Sequence, residues 1–264
     1  MLSRIIDCIC HPKFIGRYNK DKAGIVFLTV LFFFLLYVAA FGIRTYTTAP
    51  FNDTTYSELA SAVVQTKEVD IVYQNHQLQG ENKVIVGDGF RLFLLPKEAP
   101  KEYSQTDINV VLKETEATVY IGSYRLSSLE YENINAYDFS FTDICNNQTE
   151  DIYQFKKFMY DIFSTATIPL QSLSFAGGIL TSIFYYFVIV VCAGFFSKMV
   201  NPTIDRGVRY KLCFYDGIIF FVISMFASLF NVGWLSYVAI GMSLVYVTIT
   251  FKHIIRVVIK KEEL

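Results

Sequence analysis

At 264 residues, 53% of them hydrophobic, 17% aromatic and 18% charged, the chain is too apolar for an ordinary soluble domain and too polar for membrane helices alone. Its net charge of −1 conceals a separation: residues 47–165 hold 18 acidic and 9 basic side chains, a net of −9, and the remainder is net +8. The sequence shows no sign of a nucleic-acid partner, and five scattered cysteines exclude a disulfide framework.

The leader, residues 1–22, carries Arg4, Lys13, Arg17, Lys20 and Lys22. Leu2, Ile5, Ile6 and Ile9 recur at helical spacing, so residues 2–10 read as an amphipathic helix lying along the inner membrane surface. Cys8-Ile9-Cys10-His11 offers at most three metal ligands where structural zinc takes four, and no metal or cofactor is expected. The apolar run 23–43 is long enough to cross a bilayer. It is too long for a secretory signal core and follows too long a leader, so it reads as an uncleaved anchor.

Residues 44–172 read as an α+β domain. Thr55-Tyr56-Ser57-Glu58 has the form of a capping box that opens a helix to about Gln65. Strand-like runs follow at 69–73, 84–86, 90–95, 108–112 and 117–121, with a short one at 124–126. Gly87-Asp88-Gly89 punctuates two of them as a hairpin turn, and an antiparallel sheet is predicted. Tyr137, Phe139 and Phe141 alternate with Asp138, Ser140 and Thr142, the pattern of a half-buried strand. Helical spacing returns over 151–163 through Ile152, Phe155, Met159, Ile162 and Phe163, and Pro169 is expected to part this helix from the next span. His76 is the only histidine of the domain and reads as satisfied or solvent-facing.

Three further runs, 173–197, 212–230 and 235–251, complete four transmembrane helices. Basic residues mark one side: the loop 198–211 holds Lys198, Arg206, Arg209 and Lys211, and the tail 252–264 holds Lys252, Arg256, Lys260 and Lys261. The positive-inside bias therefore predicts a multi-pass cell-membrane protein with both termini cytoplasmic and 44–172 extracytoplasmic. Trp234 and Tyr237 fit the outer boundary, and Tyr210 and Tyr215 the inner one. Small pairs four apart, Gly178 with Ser182, Ser224 with Ser228 and Ala239 with Ser243, are candidates for helix packing. Asp216 is the one carboxylate inside a run. It reads either as an interfacial group paired with Lys211 or Arg209, or as a proton or cation site. Gly177-Gly178 is the other possible intramembrane polar feature, since a glycine pair can break a span and expose backbone.

No serine elbow, His-Glu-x-x-His, phosphate loop or dinucleotide fingerprint is present, and no catalytic residue is nominated. The order of parts resembles the domain of unknown function 1189 family, integral membrane proteins of Gram-positive bacteria, some of them labelled maltodextrin-utilisation proteins. The resemblance rests on the leader Cys10-His11-Pro12-Lys13-Phe14-Ile15-Gly16-Arg17, on the helix–strand domain and on Arg209-Tyr210-Lys211-Leu212 before a terminal helical hairpin. His11 before Pro12 departs from the family's opening. The resemblance implies a membrane protein associated with sugar uptake and carries over no active site. The reading is a non-enzymatic accessory or sensory protein that presents its domain to a ligand or to a membrane-protein partner such as a sugar transporter. The alternative is a subunit of a transporter or channel, as a homo-oligomer within the lipid bilayer.

Overall fold

A computed structural model of the chain describes residues 2–66, 69–97, 103 and 107–262. The side chains of Leu2 and of 255–262, with Arg256, Lys260 and Lys261 among them, lie outside the described set. The chain divides into two compact units, residues 1–47 with 174–264, and residues 48–173. Four helices are long and apolar enough to cross a membrane.

The unit 48–173 begins with α3 (Asp53–Gln65), following α1 (Leu2–Cys10) and α2 (Ala23–Thr47) of the other unit. Its capping box starts three residues before the predicted one: Asn52 accepts from Thr55 N at 3.0 Å, and Thr55 Oγ1 accepts from Asn52 N. Thr55 is thus the third helical residue and not the cap. Asparagine serves here because its side-chain oxygen reaches the orphan amide as a threonine hydroxyl does.

Two sheets follow, not one. The first has the order β2-β1-β8, built from β1 (Ile71–Gln74), β2 (Gln77–Gly80) and β8 (Phe139–Ser140). The second runs β3-β4-β5-β6-β7, from β3 (Lys83–Gly87), β4 (Phe90–Leu94), β5 (Ile108–Leu112), β6 (Glu116–Ile121) and β7 (Tyr124–Glu130). The expected antiparallel sheet is mixed: β4 and β5 pair in parallel, Phe90 opposite Ile108 through Leu94 opposite Leu112. The connection 95–107 supplies the length that a parallel crossover needs. β2 carries only one buried side chain, Leu78, so its sequence gave no alternation to detect. Asn75 and Asp138 lock the β1–β2 turn, where Asn75 and His76 both adopt positive φ, the geometry of a tight hairpin.

The predicted strand around Tyr137 is cut short. Tyr137 is 73% exposed, Phe139 and Phe141 are buried, and α4 (Phe141–Cys145) begins at once, capped by Ser140. One aromatic core fills the unit. Phe158 packs within 4.8 Å of the Tyr73 ring centroid, 5.3 Å of Tyr131 and 5.4 Å of Phe139. Phe155, Met159, Ile162 and Phe163 line the same face of α5 (Thr149–Val200). Pro169 does not end that helix, which continues to Val200. A proline costs its helix one backbone bond and a clash, and a long helix keeps its course where the turns on both sides go on packing.

In the other unit the leader forms α1 and a 3-10 helix, Pro12–Lys20. Cys8 and Ile15 are fully buried against the bundle, while Ile6 on the leader helix is 45% exposed. The expected span 212–230 lies within the membrane-length run Arg206–Leu229, composed of α6 (Arg206–Asp216) and α7 (Ile218–Leu229), with Gly217 between them still helical at φ −68° and ψ −16°. A side chain at Gly217 would press on Tyr186 at 2.9 Å. Asp205 caps α6 by accepting from Gly207 N and Val208 N. In α6–α7, 67% of the most apolar window is buried, against 28% in α2 and 33% in both α5 and α8 (Leu235–Glu262). That makes α6–α7 the centre of the bundle. Tyr215, predicted at an interface, is buried and donates to Asp21 Oδ2 at 2.7 Å.

Candidate functional site

The surface of the unit 48–173 carries a trough made of three depressions that share lining residues. The largest, about 840 Å³, is lined by β2 and the following turn, by Leu95 and Lys97 beyond β4, and by Glu114 between β5 and β6. It shares Gln77 with a second depression of about 440 Å³, and Glu81 and Asn82 with a third of about 560 Å³. The hydrogen bond from Leu78 N to Glu114 O at 2.8 Å holds β2 against the second sheet. Gly80 shapes the floor at φ +142°, where an added Cβ would lie 2.2 Å from Asp70 O, so only glycine fits.

The lining is polar. Gln77, Gln79 and Asn82 offer both donors and acceptors, and among the described lining residues Glu81, Glu114, Glu116, Glu130, Glu132 and Asp70 outnumber Lys83 and Lys97, with Glu116 paired to Lys113 beside them. Among the described residues no Phe, Tyr or Trp ring lines any of the three. The set suits a ligand rich in hydroxyl groups and repels an anion. His76 Nδ1 lies 2.9 Å from Tyr131 O, and a carbonyl only accepts, so the geometry fits a proton on that nitrogen. Burial raises the Tyr131 hydroxyl well above its usual pKa and pushes Tyr73 up to about 12, so both rings stay neutral.

In the other unit, Asp216 is fully buried, and neither Lys211 nor Arg209 pairs with it. Lys211 Nζ donates to Asn19 O at 2.9 Å and Asp21 O at 3.1 Å, while Arg209 donates to the carbonyls of Asn201, Pro202 and Ile204. Asp216 Oδ1 instead lies 2.7 Å from Thr250 Oγ1, which is also 2.9 Å from Pro12 O. Thr250 has one proton, which it can give to either acceptor or share between them. Asp216 Oδ2 has no partner among the described residues.

Gly177 and Gly178 do not share a cavity with Asp216. A Cβ at Gly177 would meet open space, and one at Gly178 would strike the Phe41 ring. Gly178 and Ser182 receive α2, with Tyr37 Oη and Ser182 Oγ 2.6 Å apart. Ser224 and Ser228 of α7 line the same cavity as Gly178, whereas Ala239 and Ser243 are buried elsewhere on α8, Ser243 bonding back to Ala239 O. Of the remaining basic residues, Arg4 makes a two-point contact with Asp21, Lys13 and Arg17 lie over Phe14, and Arg206 lies over Tyr210. Lys20, Lys22, Lys198 and Lys252 are exposed.

Sequence reasoning missed Asp21, Thr250 and the trough. Asp21 had a signal, a lone acid among basic residues immediately before an apolar run. Thr250 and the trough had none, since both arise from contacts distant in sequence. Among the described residues no group of three or more His, Cys, Asp or Glu side chains is placed to hold a metal ion, and all five cysteines are free. No family model matches the chain, and neither a curated protein nor a solved structure is similar to it.

Proposed function

We propose that this protein is a non-enzymatic, multi-pass component of the cell membrane whose extracytoplasmic domain receives a neutral, hydroxyl-rich chain such as a maltooligosaccharide. It acts as an accessory or sensor beside a sugar transporter. The observation that carries the reading is the trough: three depressions that share lining residues, with amides and carboxylates prominent among them. Such groups hydrogen-bond hydroxyls from both sides, and the linked depressions match an extended ligand better than a compact one. The excess of carboxylates disfavours phosphorylated or otherwise anionic ligands. The clustering of Lys and Arg at the leader, the 198–211 loop and the tail supports cytoplasmic termini and, with them, an extracytoplasmic 48–173.

The test is calorimetric titration of the full-length protein in detergent with maltooligosaccharides of increasing length. Affinity is expected to rise with length until the trough is filled. Gln79→Leu and Glu114→Gln are each expected to weaken binding about tenfold. Absence of saturable heat at every length removes the ligand from the proposal.

Asp216 favours a second reading, a transporter or channel subunit. A carboxyl with one unpartnered oxygen inside a bundle is the kind of group that proton-coupled pathways use. Liposome flux measured with Asp216→Asn decides it: unchanged or absent flux ends this reading.

A further inference from the structure

Of the 14 basic residues outside 47–165, Arg44 is the one that belongs to neither the leader, the 198–211 loop nor the tail. It stands in the last turn of α2, at the end of the bundle where α7 turns into α8. There it lines a cavity of about 400 Å³ between α2, α5, α7 and α8. Arg44 is the only charged group in the lining. Among the described residues its guanidinium has no hydrogen bond or ion pair.

A second observation points the same way. Ser224 and Ser228 line the cavity, are only 6% and 5% exposed, and have no side-chain hydrogen bond among the described residues. This is unlike other serines and threonines of these helices: Thr29, Thr45, Ser243 and Thr248 all bond back to a carbonyl four residues earlier. The hydroxyls of these two serines open on the cavity without a protein partner among the described residues, and beside one cation without an anion they form a donor set open to acceptor oxygens. A charge at membrane depth is costly without a counter-ion. A phosphate answers all three groups at once, since guanidinium binds it at two points and its remaining oxygens accept from hydroxyls. The site lies within helices long and apolar enough to span a membrane, where the phosphates at hand belong to lipid headgroups.

We infer that this cavity holds the headgroup phosphate of an anionic membrane lipid, with Arg44 as its counter-charge and Ser224 and Ser228 as hydroxyl donors. The inference is independent of the trough and of its ligand. Its test uses the full-length protein in detergent, offered dioleoylphosphatidylglycerol or the phosphate-free dioleoylglycerol, with retained lipid counted by native mass spectrometry. One phosphatidylglycerol is expected to be retained at least about tenfold over dioleoylglycerol. Arg44→Gln is expected to abolish that preference, Arg44→Lys to keep part of it, and Ser228→Leu, which fills the cavity without changing charge, to abolish it too. Equal retention of the two lipids overturns the inference. So does a preference that survives Arg44→Gln, or one lost in Arg44→Gln but intact in Ser228→Leu, which would put the lipid on the surface. Displacement by a large excess of inorganic phosphate refutes the lipid as occupant.

Discussion

Asp21→Asn tests how the leader is held. The Asp21 carboxylate accepts from Arg4 Nε at 2.8 Å, Arg4 Nη2 at 2.9 Å and Tyr215 Oη at 2.7 Å, and so joins α1 to α6. The amide keeps the shape but loses the charge and one acceptor oxygen, so it no longer matches the two-pronged guanidinium. Hydrogen bonds to charged groups contribute about 1.5–3 kcal/mol each, and partial exposure of Arg4 and Asp21, at 25% and 12%, screens the pair, so a net cost of about 2 kcal/mol is expected. The reporter is Cys8, fully buried four residues beyond Arg4, whose thiol is pushed up by burial. It reacts with maleimide only when α1 lifts away, whereas Cys10 is exposed and serves as an internal reference. A loss of about 2 kcal/mol raises the lifted population roughly thirtyfold, and the Cys8-to-Cys10 labelling ratio, read by peptide mapping, should rise by that factor. A ratio within a factor of about two of the wild type refutes the claim that Asp21 fastens the leader.

The same group carries a pH dependence. Arg4 holds the Asp21 carboxyl below the usual carboxylate range, so its stabilisation is complete above the unfolded-state pKa and is lost as pH falls through the lowered one. The melting-temperature gap between wild type and Asp21→Asn should therefore be full at neutral pH and close in acid, and a gap that widens on acidification contradicts this. Phe158→Ala removes the ring at the middle of the aromatic cluster and should cost about 3–5 kcal/mol, read as increased pulse-proteolysis cleavage confined to 48–173. Asn52→Ala removes the cap of α3 and should cost about 1 kcal/mol, seen as roughly fivefold faster amide exchange at Thr55 with the rest of the unit unchanged.

What was legible in the sequence follows from the range of each interaction. The apolar runs were visible because crossing a membrane demands twenty consecutive apolar residues and leaves no room for disguise. β5 was found to the residue, since a strand buried along most of its length reads as a continuous apolar run. β2, with one buried side chain, is specified by its partners β1 and Glu114 O and left no local trace. The reason for Gly217 was hidden too, because only the Tyr186 ring, which an added side chain would press on, explains why a glycine stands there. Pro169 misled in the opposite direction: a local rule for ending a helix gave way to packing on either side of it.

Asp216 and Arg44 show how a nearly uncharged bundle handles the ionisable groups it keeps. Asp216, deep in the bundle, is met by groups from distant parts of the chain, the Thr250 hydroxyl directly and the Pro12 carbonyl through it. The leader is thereby part of the solution, and lifting it would strip Thr250 of one partner. Labelling of Cys8 and the state of Asp216 should accordingly be coupled, although no direct bond joins them. Arg44 has no such internal answer among the described residues, only a cavity with two idle hydroxyls beside it. An internal solution makes a group structural, and an unfinished one makes it receptive. By that criterion the end of the bundle at Arg44, which has no partner among the described residues, is where the membrane unit is built to meet something outside itself, while Asp216 is answered at Oδ1 and not at Oδ2.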